Sequence, residues 1–210
     1  MAANTPEVEK YLAEQIVTEH PVLKEMEAEG AERRFPIIGA QCGRFIHTIA
    51  RMIQARRIFE MGSGFGYSTL WFALALPEDG EIHHTEGDPA NSEKARVYFE
   101  KAGQSAKVRR HVGDAREAIQ QTTGQFDIIL IDANKDQYPE CFRLAIDRLR
   151  TGGVMIVDNA FLNGHVLNPE NKNPGPEGIR ELTRMMLHDE RLITSIVPMR
   201  DGLLVGYKVK

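Results

Sequence analysis

The sequence predicts an α/β fold: a doubly wound, mostly parallel seven-stranded sheet, with an antiparallel hairpin at one edge and helices added at the N-terminus. Three observations predict it. From Arg57 onward, apolar runs of strand length alternate with helix-length segments, the pattern of βαβ units with helices on both sheet faces. A glycine turn, Gly62-Ser63-Gly64-Phe65-Gly66, joins the first such run to the helix after it, as in Rossmann-like folds. The last two runs are separated only by a short segment holding Arg200-Asp201-Gly202, which implies antiparallel pairing.

In chain order, residues 1–54 read as a helical cap and 55–210 as the Rossmann-like core of one domain. Glu7–Glu19 sets Val8, Leu12, Ile16 and Val17 close to helical spacing. Pro21 ends that segment, and Val22–Glu29 forms a second, short helix. Gly39–Ile53 is the third, with Phe45, Ile46, Ile49, Ala50 and Ile53 on one face. Between them Phe35–Gly39 is an apolar loop, either a ligand wall or a satellite core cluster. In the core, strand Arg57–Met61 leads to a helix opening at Tyr67. Glu81–Thr85, Lys107–Val112 and Phe126–Ile131 are the next strands, followed by helices Pro89–Ala102, Ala115–Gln121 and Tyr138–Leu149. Gly152-Gly153 turns the chain into strand Val154–Val157. A loop rich in Asn, Pro and Gly (163–178) precedes helix Gly178–His188, and Leu192–Pro198 and Leu203–Lys208 close the sheet.

Composition narrows the class. At 210 residues and a net charge of −4, the chain is large enough for a real core and is a poor partner for nucleic acid or an anionic membrane. Its two cysteines, Cys42 and Cys141, lie far apart without metal-ligand spacing and read as free thiols of a reducing, cytoplasmic setting. The polar, acidic N-terminal stretch resembles neither a signal nor a transit peptide. No apolar run reaches membrane-spanning length.

The chemistry gathers at strand ends, where ligands of open α/β sheets bind. The turn reads acid-x-G-x-G-x-G from Glu60 through Gly62, Gly64 and Gly66; a dinucleotide fingerprint wants its third glycine where Tyr67 stands. A carboxylate before the turn repels a pyrophosphate and suits a cationic, amino-acid-bearing ligand, which favours S-adenosylmethionine over NAD. Glu86 falls about twenty residues beyond the turn, where an acid accepts from ribose hydroxyls. Asp114, after strand three, either accepts from an adenine amino group or caps the next helix. Asp132 and Asp158, each after an apolar strand, join Asn159 as three hard oxygen ligands. That set suits Mg²⁺, with Mn²⁺ or Ca²⁺ as substitutes; no histidine joins it, which weakens a zinc reading.

Taken together, Glu60–Ser68, Glu86, Ile131-Asp132-Ala133-Asn134-Lys135-Asp136-Gln137-Tyr138, Gly152-Gly153 with Val157-Asp158-Asn159, and Arg200-Asp201-Gly202-Leu203 resemble the cation-dependent class I O-methyltransferases. That group includes catechol and caffeoyl-CoA O-methyltransferases, and the likeness is strongest to its small bacterial members. The resemblance implies that Asp132, Asp158 and Asn159 hold the divalent ion, with Asp132 also bordering the cofactor. It implies Lys135 as general base, Glu86 on the ribose, and Gly62, Ser63 and Ser68 at the methionine end. It places Ile38 and Gly39 on the far side, with Asp114 and Ala115 at the adenine. A lysine beside a dication is disfavoured in its protonated form, which suits a proton acceptor. The third position of the Asp-Ala-x-Lys run is Asn134 where many members have Asp, and residues 161–177 fall in the variable acceptor loop. The implied acceptor is a small catechol-like or hydroxycinnamoyl-type aromatic, and the implied assembly a homodimer. A metal-independent small-molecule methyltransferase is the nearest alternative; an NAD oxidoreductase and a non-catalytic binding module stand further off.

Overall fold

The computed structural model describes residues 5–210; the first four residues, part of the expected cap and of its polar stretch, lie outside them. Three helices come first: α1 (Pro6–Gln15), α2 (Pro21–Arg33) and α3 (Gly39–Met52). Strands and helices then alternate through β1 (Arg57–Met61), α4 (Tyr67–Ala75), β2 (Glu81–Glu86), α5 (Pro89–Lys101), β3 (Val108–Val112) and α6 (Ala115–Gln121). The second half follows as β4 (Phe126–Ile131), α7 (Tyr138–Ala145), β5 (Leu149–Val157), α8 (Pro174–His188), β6 (Leu192–Val197) and β7 (Leu203–Lys208).

The strands form one sheet in the order β3-β2-β1-β4-β5-β7-β6. Neighbours from β3 to β5 are parallel, and β7 runs antiparallel between β5 and β6. The chain works outward from β1 to β3, then crosses back to place β4 on the other side of β1. That reversal opens a crevice beyond the carboxyl ends of β1 and β4. Both faces are covered. Ile58, Ile128 and Ile156 pack under Ile46, Leu70 and Phe99 of α3, α4 and α5. Phe59, Ile129 and Val157 pack under Ile119, Phe142 and Leu182 of α6, α7 and α8. Burial on both faces is why β1, β4 and β5 read as near-continuous apolar runs rather than alternating ones.

Asp127, the polar residue inside β4, ties three strand starts together. Its Oδ2 accepts from the backbone N–H of Arg56 (2.8 Å) and Arg57 (2.7 Å), and its Oδ1 from Arg150 Nε. Helix starts follow the proline and aspartate signals. Pro21, Pro89 and Pro174 open α2, α5 and α8, while Asp88 caps α5.

Several boundaries differ from the sequence reading. The first helix stops at Gln15, and Pro21, expected as a terminator, is the first residue of α2, which continues to Arg33. The helix expected to reach Leu149 ends at Ala145; a 3-10 turn over Ile146–Arg148 leads directly into β5. β5 begins at Leu149, so Gly152 and Gly153 lie inside the strand, next to a register shift opposite Phe126 and Ile128. α8 starts at Pro174, which shortens the loop read as ending at Gly178, and a 3-10 stretch occupies Leu162–Leu167. No helix among the described residues is long and apolar enough to cross a membrane.

Candidate active site

Beyond the ends of β1 to β5 lies a cavity of about 720 Å³, within the roughly 300–1,000 Å³ range of small-molecule sites. Ile38, Gly62, Ser63, Gly64, Ser68, Glu86, Asp114, Ala115, Asp132, Lys135, Asp158 and Asn159 all line it. Glu60 and Gly39, named with them from the sequence, are not on this wall. Glu60 is 0 % exposed beneath the turn, and Gly39 lines a second cavity between α1, α2 and α3, where the Arg200 side chain lies across it.

The turn is stitched to β2. Thr85 Oγ1 accepts from Gly62 N–H (3.0 Å) and donates to the Glu60 carbonyl (2.7 Å), while Ser63 Oγ accepts from Thr85 N–H (3.2 Å). Gly62, at φ +90°, is required by its neighbours: a Cβ there would stand 2.4 Å from the Asp132 carbonyl oxygen. The obstacle is the end of β4, not a ligand, so the same glycine brings the turn against the Asp132 backbone. Below, Glu60 Oε2 accepts from the Thr69 hydroxyl and Oε1 has no hydrogen-bond partner. Burial raises this carboxyl to about 7. Thr69 Oγ1 also lies 3.0 Å from His84 Nδ1, and burial lowers His84 to about 3.

Glu86 and Asp114 stand at the tips of β2 and β3. Glu86 Oε1 accepts from Asp88 N–H at 2.8 Å. Asp114 does cap α6, accepting from Arg116 N–H at 2.8 Å, and it also binds the Arg116 guanidinium. That pairing holds its carboxyl below the usual range. Capping therefore accounts for its backbone bond, and the carboxylate still faces the cavity.

Asp132 and Asp158 occupy neighbouring tips. Ile131 and Val157 are partners across β4 and β5, and Asp158 N–H donates to the Ile131 carbonyl at 3.1 Å, so the two acids follow on strands spaced about 4.8 Å apart. Burial and then the Asp132 charge raise the Asp158 carboxyl well above the carboxylate range. Lys135 Nζ donates to Asp132 Oδ1 at 2.6 Å and to the Ala133 carbonyl at 3.2 Å. Gly178 of α8 packs on the Lys135 carbonyl so closely that a Cβ would reach it at 2.2 Å, which fixes the lysine backbone. Asn159, at φ +59°, donates Nδ2 to Asp201 Oδ2 at 3.0 Å.

Five acids on the wall, Glu86, Asp114, Asp132, Asp158 and Asp201, face two bases, Arg116 and Lys135. This surface repels a pyrophosphate and suits a ligand with an ammonium, ribose hydroxyls and an adenine amino group. Two adjacent carboxylates with an ammonium already drawn onto one of them also suit a hard divalent cation with open positions. Among the described residues no group of three or more His, Cys, Asp or Glu is placed to hold a metal; the set here is two carboxylates and an amide.

Sequence reasoning did not single out Tyr67, Cys141 or Asp201 as wall residues. Tyr67 read only as the residue standing where a dinucleotide turn wants glycine, and Cys141 only as a free thiol. Asp201 read as a turn residue and as part of the Arg200–Leu203 motif, with no site role attached, although its place in that motif was a signal available to find it.

Residues 13–209 match a family described as O-methyltransferase. The chain is 30% identical over 198 residues to the catechol O-methyltransferase of Niastella koreensis, covering 91% of this chain and 90% of that protein. It is 30% identical over 207 residues to the caffeoyl-CoA O-methyltransferase of Medicago sativa, covering 91% and 83%. Its fold superposes on the O-methyltransferase TomG of Streptomyces achromogenes, solved with S-adenosylmethionine, with a TM-score of 0.89, 31% identity and coverage of 97% and 96%.

Proposed function

Because this chain belongs to the O-methyltransferase family, as an S-adenosylmethionine-dependent enzyme of the catechol and caffeoyl-CoA class, we propose that it methylates one hydroxyl of a small aromatic vicinal diol with the help of a divalent cation, Mg²⁺ first. The observation that carries this reading is the pair Asp132 and Asp158 on adjacent strand tips, with Lys135 on the first and Asn159 beside the second.

When bound, S-adenosylmethionine supplies an electrophilic sulfonium methyl. A divalent ion supplies positive charge at the two acceptor oxygens, which eases loss of a proton. The chain's own residues do the rest. Gly62, Ser63, Gly64 and Ser68 receive the methionine end, opposite Ile38; Glu86 accepts from the ribose, and Asp114 and Ala115 meet the adenine. Glu60 from below, and Gly39 from behind Ile38, shape that wall without touching the ligand. Asp132, Asp158 and Asn159 Oδ1 hold the ion, and Asp132 also borders the donor. Lys135 Nζ would take the proton of the acceptor hydroxyl only as the neutral amine, having first released its own proton to solvent. Holding donor and acceptor in line is worth several orders of magnitude by itself.

The Lys135–Asp132 pair favours a second reading, in which the ammonium takes the cation's place and no metal is used. One experiment separates the two: transfer of labelled methyl from S-adenosylmethionine to a panel of vicinal diphenols, with Mg²⁺ and with excess chelator. The proposal expects transfer to diols that needs Mg²⁺. Full transfer in chelator would establish the metal-free reading, and no transfer to any diol would remove the acceptor class.

A further inference from the structure

Asp201 stands in the turn between β6 and β7 and makes contacts that joining two strands does not require. Its Oδ2 accepts from Asn159 Nδ2 at 3.0 Å, and its Oδ1 accepts from Asn163 N–H at 2.6 Å. Its carbonyl accepts from Phe161 N–H at 2.9 Å, and the next carbonyl, that of Gly202, accepts from Ala160 N–H at 2.9 Å. The segment gripped in this way has backbone that side chains rarely adopt: φ is +59° at Asn159, +44° at Leu162 and +50° at Asn163. Such angles persist where surrounding structure over-determines them and cluster at functional sites. Leu162 and Asn163 line the cavity beside Asp158 and Asn159. The preceding residue, Arg200, donates Nη1 to the Ile38 carbonyl at 2.7 Å, so the same turn also reaches the opposite wall.

An amide side chain has one donor end and one acceptor end. With Nδ2 committed to Asp201, Asn159 has only Oδ1 to offer a cation. A carboxylate is suited to this place because it accepts at both oxygens, one for Asn159 and one for the Asn163 backbone; an amide there would present a donor to one of them. We propose that Asp201 is a positioning residue that presets Asn159 Oδ1 as a cation ligand and, through its other oxygen, fixes Leu162 and Asn163 as acceptor wall. This rests on the cation reading above. Partners that orient metal ligands typically change metal affinity 10–100-fold when removed.

The test is Mn²⁺ binding to the full chain in saturating S-adenosylmethionine, read from the electron paramagnetic resonance of free Mn²⁺. It compares wild type, Asp201→Ala, Asp201→Asn, Asn159→Ala and the Asn159→Ala/Asp201→Ala double variant. Asp201→Ala is expected to weaken Mn²⁺ about tenfold or more and to raise the acceptor KM, with S-adenosylmethionine affinity within about twofold. Asp201→Asn keeps one acceptor and is expected to fall between; it carries the comparison if the alanine variant does not fold. In the Asn159→Ala background, loss of Asp201 is expected to add nothing, since it acts through Asn159. Unchanged Mn²⁺ affinity in both Asp201 variants, or additive losses in the double variant, would overturn the positioning role while leaving the cation site standing. A wild type that binds no Mn²⁺ would overturn both.

Discussion

Lys135 is constrained by everything around it: Nζ meets Asp132 Oδ1 and the Ala133 carbonyl, and lies 5.0 Å above the Tyr138 ring, while α8 presses on its backbone. Proton transfer is the role proposed for a group so held. Lys135→Ala is therefore expected to lower kcat by about 10²–10⁴, with the calorimetric affinity for S-adenosylmethionine within about twofold; parallel loss of both would reject the base role. Gly62 makes a complementary prediction. Because its φ is +90° and a Cβ would strike the Asp132 carbonyl, Gly62→Ala is expected to cost about 2 kcal/mol or more in urea unfolding. A neutral effect would show that the turn is not pressed on β4. Gly62, Gly64, both carboxylates and Lys135 were legible as wall residues of one cavity, the acids not singly, since either alone reads as a helix cap or turn residue, but as a pair in matched positions after two apolar strands. Glu60 was legible as an acid but not as a buried one, since its direction depends on which sheet face it shares with Thr69 and His84.

Strands β1 and β4, covered on both faces, were legible to the residue. The exceptions are instructive. β5 was read from Val154 because a glycine pair normally marks a turn, yet pairing with β4 carries the strand back to Leu149 across an irregular register. Tertiary hydrogen bonds decided that boundary, and no local propensity reports them. The order of the final hairpin, with β7 inside and β6 at the edge, likewise depends on pairing with β5. Asp127 acts at this scale, satisfying backbone donors of Arg56 and Arg57 as well as Arg150. Asp127→Ala is expected to destabilise the fold by about 1–3 kcal/mol, seen as a lower urea midpoint at constant m. An unchanged midpoint would mean those donors find other partners.

Across the whole molecule, the buried chain Glu60–Thr69–His84 ties stability to pH in two opposing ways. Folded His84 stays neutral down to about 3 against an ordinary value of 6.5, so in that window the unfolded chain binds one more proton and stability is lost as pH falls. Folded Glu60 keeps its proton up to about 7 against an ordinary 4.5, so its contribution is present below 4.5 and lost as pH rises through 7. Between about pH 5 and 6, His84→Gln is expected to lower the slope of unfolding free energy against pH by about 1.4 kcal/mol per unit, and Glu60→Gln to raise it by as much. Identical slopes in all three proteins would show that neither group is held as the structure places it. The cavity wall assembles from parts far apart in sequence: Asp132 and Asp158 each follow an apolar strand and could be read from it, whereas the contact of Asp201 with Asn159 exists only in the fold. The most direct measurement is the Mg²⁺ dependence of methyl transfer to a vicinal diphenol, in wild type and Asp158→Ala stripped of metal by chelator. The expected result is activity that Mg²⁺ restores in wild type and does not restore in the variant; equal activity of the two proteins, with and without Mg²⁺, would contradict the cation site at the tips of β4 and β5.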